Sequence, residues 1–385
     1  MAGVTGAYLD NSATTRPSEN VIEAMAQCMR DGFYNPSSQY APAVESEKRL
    51  ADCRAEIARA LKAAPEEIFF TSGGTEANNL AVLGAVKTLR GPGHLIVNAT
   101  EHPSVLAAFE EAQKAGHRLS VLPVTEDGTP DMAAFAALLE DKPALLSVMQ
   151  VNNETGAMAN VKKMADMAKK ANPKCLVHVD GVQGFLRVPF DARAVDLYTL
   201  SAHKIHGPKG AGALYVKKGA RILPRQIGGG QEKGLRSGTE NTPGIAGLHR
   251  AVLEMKAMRG LADELMAKKL RFLHLVREAV PEVLVNGPQP EQAAPHILNL
   301  TFPNVRGEVM LHALEAERVY CSTGSACSSK KRHVSAVLKA MGLSDDRAEG
   351  ALRFSFSPYT TEEEIEYAAG RIGESYALLK QYQRR

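Results

Sequence analysis

From about residue 20 to residue 250 the chain alternates short apolar runs with longer amphipathic ones, and this rhythm restricts the fold more than any other property. Glu45 to Lys62 carries Leu50, Ile57 and Leu61 at near-helical spacing, which predicts an amphipathic helix. Glu67-Ile68-Phe69-Phe70-Thr71 reads as a strand, Thr75 to Leu89 as a helix, His94-Leu95-Ile96-Val97 as a strand and Ser104 to Ala115 as a helix. Ala144 to Val151 reads as a buried strand and Val161 to Lys170 as a helix. Cys175-Leu176-Val177-His178-Val179 and Val195 to Leu200 read as two further strands. Strands separated by helices predict an α/β fold with a mostly parallel sheet covered by helices on both faces. Such sheets bind ligands beyond the carboxyl ends of their strands. The helix-rich stretch Thr242 to Val280 leaves this rhythm. Beyond it Ile297 to Phe302 and Arg353 to Phe356 read as strands of a smaller α+β unit. With 385 residues and 44% hydrophobic content the chain is long enough for both units. The expected division is a large domain over 16–255 and a small domain built from 1–15 and 256–385.

Two strand ends carry chemistry. Asp180 closes the run that begins at Cys175, and Lys204 follows the next strand in Ser201-Ala202-His203-Lys204. An aspartate and a lysine at successive strand ends suit pyridoxal phosphate: the lysine can form a Schiff base with its aldehyde, and the aspartate can keep the pyridine nitrogen protonated. Taken alone, the pair also fits a strand-ending aspartate and a solvated loop lysine. A third strand end, Thr71-Ser72-Gly73-Gly74-Thr75-Glu76-Ala77-Asn78-Asn79, joins a strand to a helix. Its glycines let the backbone bend around an anion, and the helix N-terminus offers free N–H donors. A capped helix after a tight turn is the alternative. No Gly-Lys-Ser/Thr follows, so this is not a Walker loop, and Gly228-Gly229-Gly230 lacks the flanking strand and helix of a dinucleotide fingerprint.

Other function classes find little support. A net charge of +3 gives no argument for direct nucleic-acid or membrane partners. The five cysteines, Cys28, Cys53, Cys175, Cys321 and Cys327, are odd in number and scattered, unlike a disulfide framework. They suit a reducing cytoplasm. Without CxxC or HExxH a dedicated metal site is not expected. Met1 to Asp10 lacks an apolar signal core, and no run approaches the roughly 20 apolar residues of a membrane span.

Several local sequences then combine in order: Tyr8-Leu9-Asp10-Asn11-Ser12-Ala13-Thr14-Thr15, Asn35-Pro36-Ser37-Ser38, the Thr71 to Asn79 loop, Glu101-His102 and Asn152-Asn153-Glu154-Thr155-Gly156. They continue with His178-Val179-Asp180, Ser201 to Lys204, and Gly229 to Glu232 through Arg236 to Asn241. Over nearly its whole length the chain resembles the cysteine desulfurases of the NifS/IscS type, fold-type I enzymes of the class V aminotransferase group that use pyridoxal phosphate. The resemblance implies that Lys204 is the Schiff-base lysine, Asp180 the partner of the pyridinium nitrogen and Gln183 the donor to the ring 3′-oxygen. Gly74, Thr75, Ser201 and His203 match the phosphate cup. Thr239 matches the residue that reaches the phosphate in the other subunit, which implies a homodimer. His102 matches the imidazole stacked on the ring, where it can also move protons. Asn153 and Arg353 match the groups that hold the substrate carboxylate, Asn153 also counting among the cofactor contacts. Singly, each has a plainer alternative: His102 as a capping or core histidine, Arg353 as an ion-pair partner, Asn153 as a turn residue, Thr239 as a loop hydroxyl.

Cys327 separates sulfur chemistry from the other reactions of such a cofactor. It lies in Cys321-Ser322-Thr323-Gly324-Ser325-Ala326-Cys327-Ser328-Ser329, a small, polar run that reads as a loop able to move, and it matches the nucleophilic cysteine of the family. Cys28, Cys53, Cys175 and Cys321 read as packing residues. The implied reaction converts L-cysteine to L-alanine, with Lys204 moving the α-proton and the Cys327 thiolate taking the sulfur as a persulfide. A protein acceptor, such as an iron–sulfur scaffold, or a tRNA-thiolation pathway then receives it. A selenocysteine lyase, an aminotransferase and a non-enzymatic sulfur carrier or scaffold are the alternatives. Two positions depart from the family pattern. Ser12 stands where alanine is common, and Gly181 where alanine follows the aspartate; Gly181 removes a methyl near the expected ring face and adds backbone freedom.

Overall fold

In the computed structural model, which describes residues 4–323 and 334–382, the elements run β1 (Ala7–Tyr8), α1 (Glu19–Asp31), α2 (Ala41–Leu61), β2 (Ile68–Thr71), α3 (Gly74–Val86), β3 (His94–Asn98), α4 (Pro103–Lys114) and β4 (Arg118–Leu122). They continue with α5 (Met132–Leu138), β5 (Leu145–Met149), α6 (Val161–Ala171), β6 (Leu176–Asp180), β7 (Leu197–Ser201), β8 (Gly212–Val216), α7 (Thr242–Ala257) and α8 (Leu261–Ala279). The last are β9 (Leu284–Val285), β10 (Ile297–Thr301), α9 (Gly307–Ala316), β11 (Val319–Tyr320), α10 (Ala336–Ala340), α11 (Asp345–Glu349), β12 (Ala351–Ser355) and α12 (Glu362–Lys380).

The central sheet has the order β2-β8-β7-β6-β5-β3-β4. β3, β4, β5, β6 and β7 pair in parallel, while β8 runs antiparallel to both β2 and β7. The expected mostly parallel sheet is thus present, with one reversed strand that the sequence rhythm does not reveal. The central strands carry buried apolar residues on both faces, as a sheet covered by two helical layers requires. Val177 and Val179 join Val148, Tyr198 and Leu200 in one core, whereas Leu95, Val97, Leu197 and Leu214 pack with Ala77, Leu80 and Phe109 of α3 and α4 on the other face.

Polar residues interrupt this second face. His178 on β6 bonds Ser147 Oγ of β5 at 2.8 Å and Thr199 Oγ1 of β7 at 3.1 Å. Burial pulls its pKa down to about 3 and so keeps the imidazole neutral. Asp180 continues the same side of β6, two residues on.

A second sheet, β12-β10-β9, is antiparallel, and β1 pairs in parallel with β11. One apolar core runs through both regions, from Ile57, Val179 and Leu200 to Leu9, Phe272, Leu300 and Phe354. The segment after β1 lies against β12: Ser355 N donates to Leu9 O at 2.7 Å, and Asp10 forms a parallel bridge with Ser355. The N-terminal residues are thereby placed between the two sheets. Helix ends differ slightly from the sequence pattern. α2 starts at Ala41 because Pro42 suits a first turn, and the stretch after Thr242 splits into α7 and α8 at Gly260, whose φ is 70°.

Candidate active site

Three strand ends and the N-terminal segment build one cleft. β6 delivers Asp180, which is 3% exposed. Its Oδ2 accepts from Asn78 Nδ2 at 2.8 Å and its Oδ1 from Val182 N at 3.0 Å. Asn78 sits one turn into α3, on the face shared with Gly74, so the helix that starts at the glycine loop also fixes the aspartate. Asn78 Nδ2 also donates to Ser104 Oγ at 3.0 Å, and Ser104 meets His102. Asn78, Ser104 and His102 thus link Asp180 to the start of α4.

His102 is the N-cap of α4, so its capping alternative holds as a local fact. Ser104 N donates to His102 Nδ1 at 3.1 Å, which places the proton of the neutral ring on Nε2. Burial lowers the His102 pKa, the charge of Asp180 raises it and that of Lys204 lowers it, with a net downward shift. The imidazole is therefore neutral at pH 7 and presents Nε2 for proton transfer.

β7 ends at Ser201, and the 3₁₀ turn Ala202–Lys204 follows at once. Lys204 Nζ donates to Ser12 O at 2.6 Å and Ala13 O at 2.7 Å. Gln183 Nε2 reaches the same Ser12 carbonyl at 2.9 Å, while its Oε1 accepts from Arg187 Nη1 at 2.9 Å. His203 Nδ1 lies 3.2 Å from Thr14 Oγ1; burial and then the charges of Lys204, Lys209 and Arg187 pull its pKa down to about 4.

The glycine loop forms a cradle beside this turn. Gly73 has φ 150°, and α3 begins without a side-chain cap. A Cβ on Gly74 would stand 2.8 Å from Val182 Cγ2 and 3.7 Å from Ser201 Cβ; one on Gly212 would stand 2.7 Å from Gly73 Cα. Only glycine permits this approach of loop, β7 and β8. Thr75 is exposed at the rim. Glu76 fastens the rim, taking Ser72 N at 2.9 Å and Arg236 Nε at 2.7 Å. Burial opposes its ionisation, but the bonds from Arg236 and Ser72 outweigh that and hold the carboxyl below its usual range. Thr239 lies exposed in the loop that follows Arg236.

Arg353 on β12 forms the far wall. It is 3% exposed, donates from Nη2 to Asp10 Oδ1 at 2.6 Å and from Nη1 to Asn153 O at 3.0 Å, and keeps a buried Nε–H without a partner. Two of its five N–H groups are used in these bonds, which leaves donors for a carboxylate. The segment Asp10 to Ala13 spans the cleft, holding Arg353 at one end and Lys204 at the other; Ser12 N donates to Ser355 Oγ at 2.8 Å between them. Ser12 Oγ and Asn78 Oδ1 are buried without protein partners. Glu101, beside His102, is buried; burial, reinforced by Asp180, raises its pKa well above the usual range and outweighs a backbone bond from Met149.

The missing methyl of Gly181 does not face the cleft. A Cβ there would lie 1.9 Å from Tyr198 Cζ, on the opposite side of the sheet. Tyr198 donates to Gln150 Oε1 at 2.7 Å and fills the space that alanine would take. Asn78, Asp10 and Glu154 lie within quoted motifs, but only their contacts reveal their work. Cys327 lies outside the described residues. Cys28, Cys53, Cys175 and Cys321 are free and buried; burial pushes the Cys175 thiol up to about 12 and raises Cys53 and Cys321 as well. Among the described residues no group of three or more His, Cys, Asp or Glu side chains is arranged to hold a metal ion.

A family model described as Aminotransferase class-V matches residues 7–368. "Cysteine desulfurase IscS" of Clostridium botulinum is 38% identical over 94% of this chain and 91% of its own. A solved structure titled "NIFS-LIKE PROTEIN" superposes with a TM-score of 0.91 at 33% identity, covering 97% of this chain and 100% of that one. Another, titled "SspA in complex with cysteine", gives 0.80 at 30% identity, covering 92% and 100%.

Proposed function

We propose a reaction scheme from the premise that the chain belongs to the class-V aminotransferase family and, within it, to the cysteine desulfurases of the NifS/IscS type. It is an enzyme that removes sulfur from L-cysteine. Pyridoxal phosphate is the cofactor we assign. The glycine cradle at Gly73 and Gly74, the uncapped start of α3 and the unpartnered Ser12 Oγ and Asn78 Oδ1 suit a phosphorylated, polar ring. Gly74, Thr75, Ser201 and His203 would hold its phosphate, Asp180 its ring nitrogen, Gln183 its 3′-oxygen and His102 its face, with Asn153 nearby. When bound, the cofactor supplies an aldehyde for the amino group of L-cysteine and a ring that stores the electrons released at Cα.

The chain's own groups do the rest. Arg353 and Asn153 orient the substrate carboxylate. Lys204 Nζ takes the α-proton and returns protons to the carbon skeleton. The carbonyls of Ser12 and Ala13 accept from Nζ and so fix where that nitrogen starts; it acts as the base in its neutral amine form. His102 Nε2 exchanges a proton with the substrate thiol. The Cys327 thiolate attacks the substrate sulfur: an S–S bond forms, the Cβ–S bond breaks and its electron pair passes to Cβ, which takes a proton. L-Alanine leaves and Cys327 carries a persulfide. That sulfur goes to a protein acceptor, such as an iron–sulfur scaffold, or to tRNA thiolation, in the cytoplasm.

The observation that carries this reading is the Asp10 to Ala13 segment, which joins the carboxylate-binding Arg353 to the proton-moving Lys204. A homodimer completes the site. Thr239 is exposed, and Phe33, Tyr40, Val44 and Ile227 leave large apolar surface uncovered, Ile227 at 85%. The proposed large and small domains, 16–255 with 1–15 and 256–385, then place Lys204 and Cys327 on different units. Among the described residues no helix is long and apolar enough to cross a membrane. The test is Cys327→Ala: the bound chromophore is expected to remain while alanine release stops, and wild-type turnover would overturn the assignment.

A further inference from the structure

Gln183 stands between the cleft and a buried cation. Its Nε2 donates to Ser12 O at 2.9 Å, the carbonyl that also takes Lys204 Nζ at 2.6 Å. Its Oε1 accepts from Arg187 Nη1 at 2.9 Å. Arg187, Gln183, Ser12 and Lys204 thus form one run of contacts that ends at the proton-moving nitrogen.

Arg187 is 5% exposed, and burial pulls its pKa down to about 9, with no carboxylate opposing the shift. The guanidinium still carries its charge at pH 7. Burial leads in lowering the pKa of His203, His206 and His296, and the Arg187 charge adds to it in all three. The cation therefore stands near neutral imidazoles instead of a counter-ion, an arrangement that costs stability. The backbone is constrained where it places this residue. Leu186 has φ 61°, a left-handed conformation that leucine seldom adopts. Arg187 N and Val188 N both donate to Gly184 O, at 3.0 and 2.9 Å. A costly charge on a constrained turn calls for a task, and its bond to Gln183 supplies one.

The two ends of a side-chain amide have nearly the same shape, so its partners decide which end faces the cleft. A guanidinium can only donate. The amide atom against Arg187 is therefore the oxygen, and the NH2 group is turned toward Ser12 and Lys204. The Ser12 carbonyl favours the same orientation, but it is shared with Lys204 Nζ; the oxygen end is held by Arg187.

We infer that Arg187 is a positioning residue for the cofactor: it locks the Gln183 amide with its NH2 group toward the Lys204 end of the cleft, and its charge strengthens that donor. The inference rests on the reading of Gln183 as the donor to the ring 3′-oxygen. Without Arg187 the buried Oε1 loses its partner. The amide can then turn its oxygen toward the cleft, where it would repel the ring oxygen.

The test titrates the full-length apoenzyme with pyridoxal phosphate and with an analogue that lacks the 3′-oxygen, following binding by absorbance. The ratio of the two affinities isolates the contact to that oxygen, whereas a merely structural change weakens both ligands alike. Relative to wild type, Gln183→Leu and Arg187→Met are each expected to lower the ratio about tenfold. The double variant is expected to match Gln183→Leu within about twofold, because Arg187 acts through the amide. Should Arg187→Met fail to fold, Arg187→Gln keeps a polar side chain that both donates and accepts; the amide is then free to turn, and the same fall is expected. An unchanged ratio in the folded Arg187 variant overturns the inference, and so does a further fall when Arg187→Met is added to Gln183→Leu. An unchanged ratio in Gln183→Leu instead overturns the reading of Gln183, and this inference with it.

Discussion

Asn78 donates its side-chain amide to the Asp180 carboxylate at 2.8 Å, from the helix whose first residue is Gly74. The proposed phosphate cradle and the proposed ring-nitrogen partner are therefore parts of one rigid unit. Asn78→Ala leaves a buried carboxylate oxygen without its donor, which costs about 1–3 kcal/mol. Affinity for pyridoxal phosphate, followed by absorbance on titration of the apoenzyme, is expected to weaken about tenfold or more. Unchanged affinity would remove Asn78 from the site.

Gly181 and Tyr198 form a compensated pair, since a Cβ at 181 would lie 1.9 Å from the Tyr198 ring. Gly181→Ala is expected to destabilise the protein by about 1–3 kcal/mol through overpacking. Adding Tyr198→Leu should recover part of that loss. Urea unfolding of the single and double variants measures the coupling, and simple additivity would contradict it.

Glu154 Oε2 accepts from Ser335 Oγ at 2.5 Å, but burial outweighs this bond and the charge of Arg353 and pushes its pKa up to about 7. The raised pKa has a definite sign. Between its ordinary value of 4.5 and about 7 the native protein holds a proton that the unfolded chain has released. The favourable contribution is full below 4.5 and is lost as pH rises through 7. Relative to Glu154→Gln, the wild type is expected to lose about 3 kcal/mol over that window, read from unfolding curves at several pH values. A difference that does not change with pH would refute the burial argument.

His102 runs the other way. Its lowered pKa means that the native state takes up the proton at lower pH than the unfolded chain, so the contribution of the neutral ring is present above 6.5 and fades as pH falls. The acid limb of the desulfurase rate should lie below 6.5, and His102→Gln should abolish it along with most of the rate. An acid limb above 6.5 in the wild type would contradict the neutral, buried imidazole.

Much of this fold is legible in the sequence, because apolar periodicity marks strands buried on both faces and the helices between them. β8 escaped because Gly212-Ala213-Leu214-Tyr215-Val216 follows a glycine-rich turn, and nothing in its pattern encodes its antiparallel direction. Local motifs put Asp180, Lys204 and Gly74 at strand and helix ends. The contacts that hold them there are long-range: Lys204 on the Ser12 carbonyl, Arg353 on Asp10 and Ser335 on Glu154 join distant parts of the chain, and a backbone carbonyl has no sequence signature at all. The Gly181 departure is opaque in the sequence for the same reason, since its explanation lies on Tyr198 in the neighbouring strand.

The central claim is that Lys204 starts a reaction whose sulfur ends on Cys327. The direct measurement is the mass of the Cys327 peptide after L-cysteine is added to the holoenzyme, with alanine quantified in the same sample. One added sulfur on Cys327 for each alanine formed in the first turnover is the expected result. Alanine release with the extra sulfur on Cys28, Cys53, Cys175 or Cys321, or on no cysteine, would contradict it.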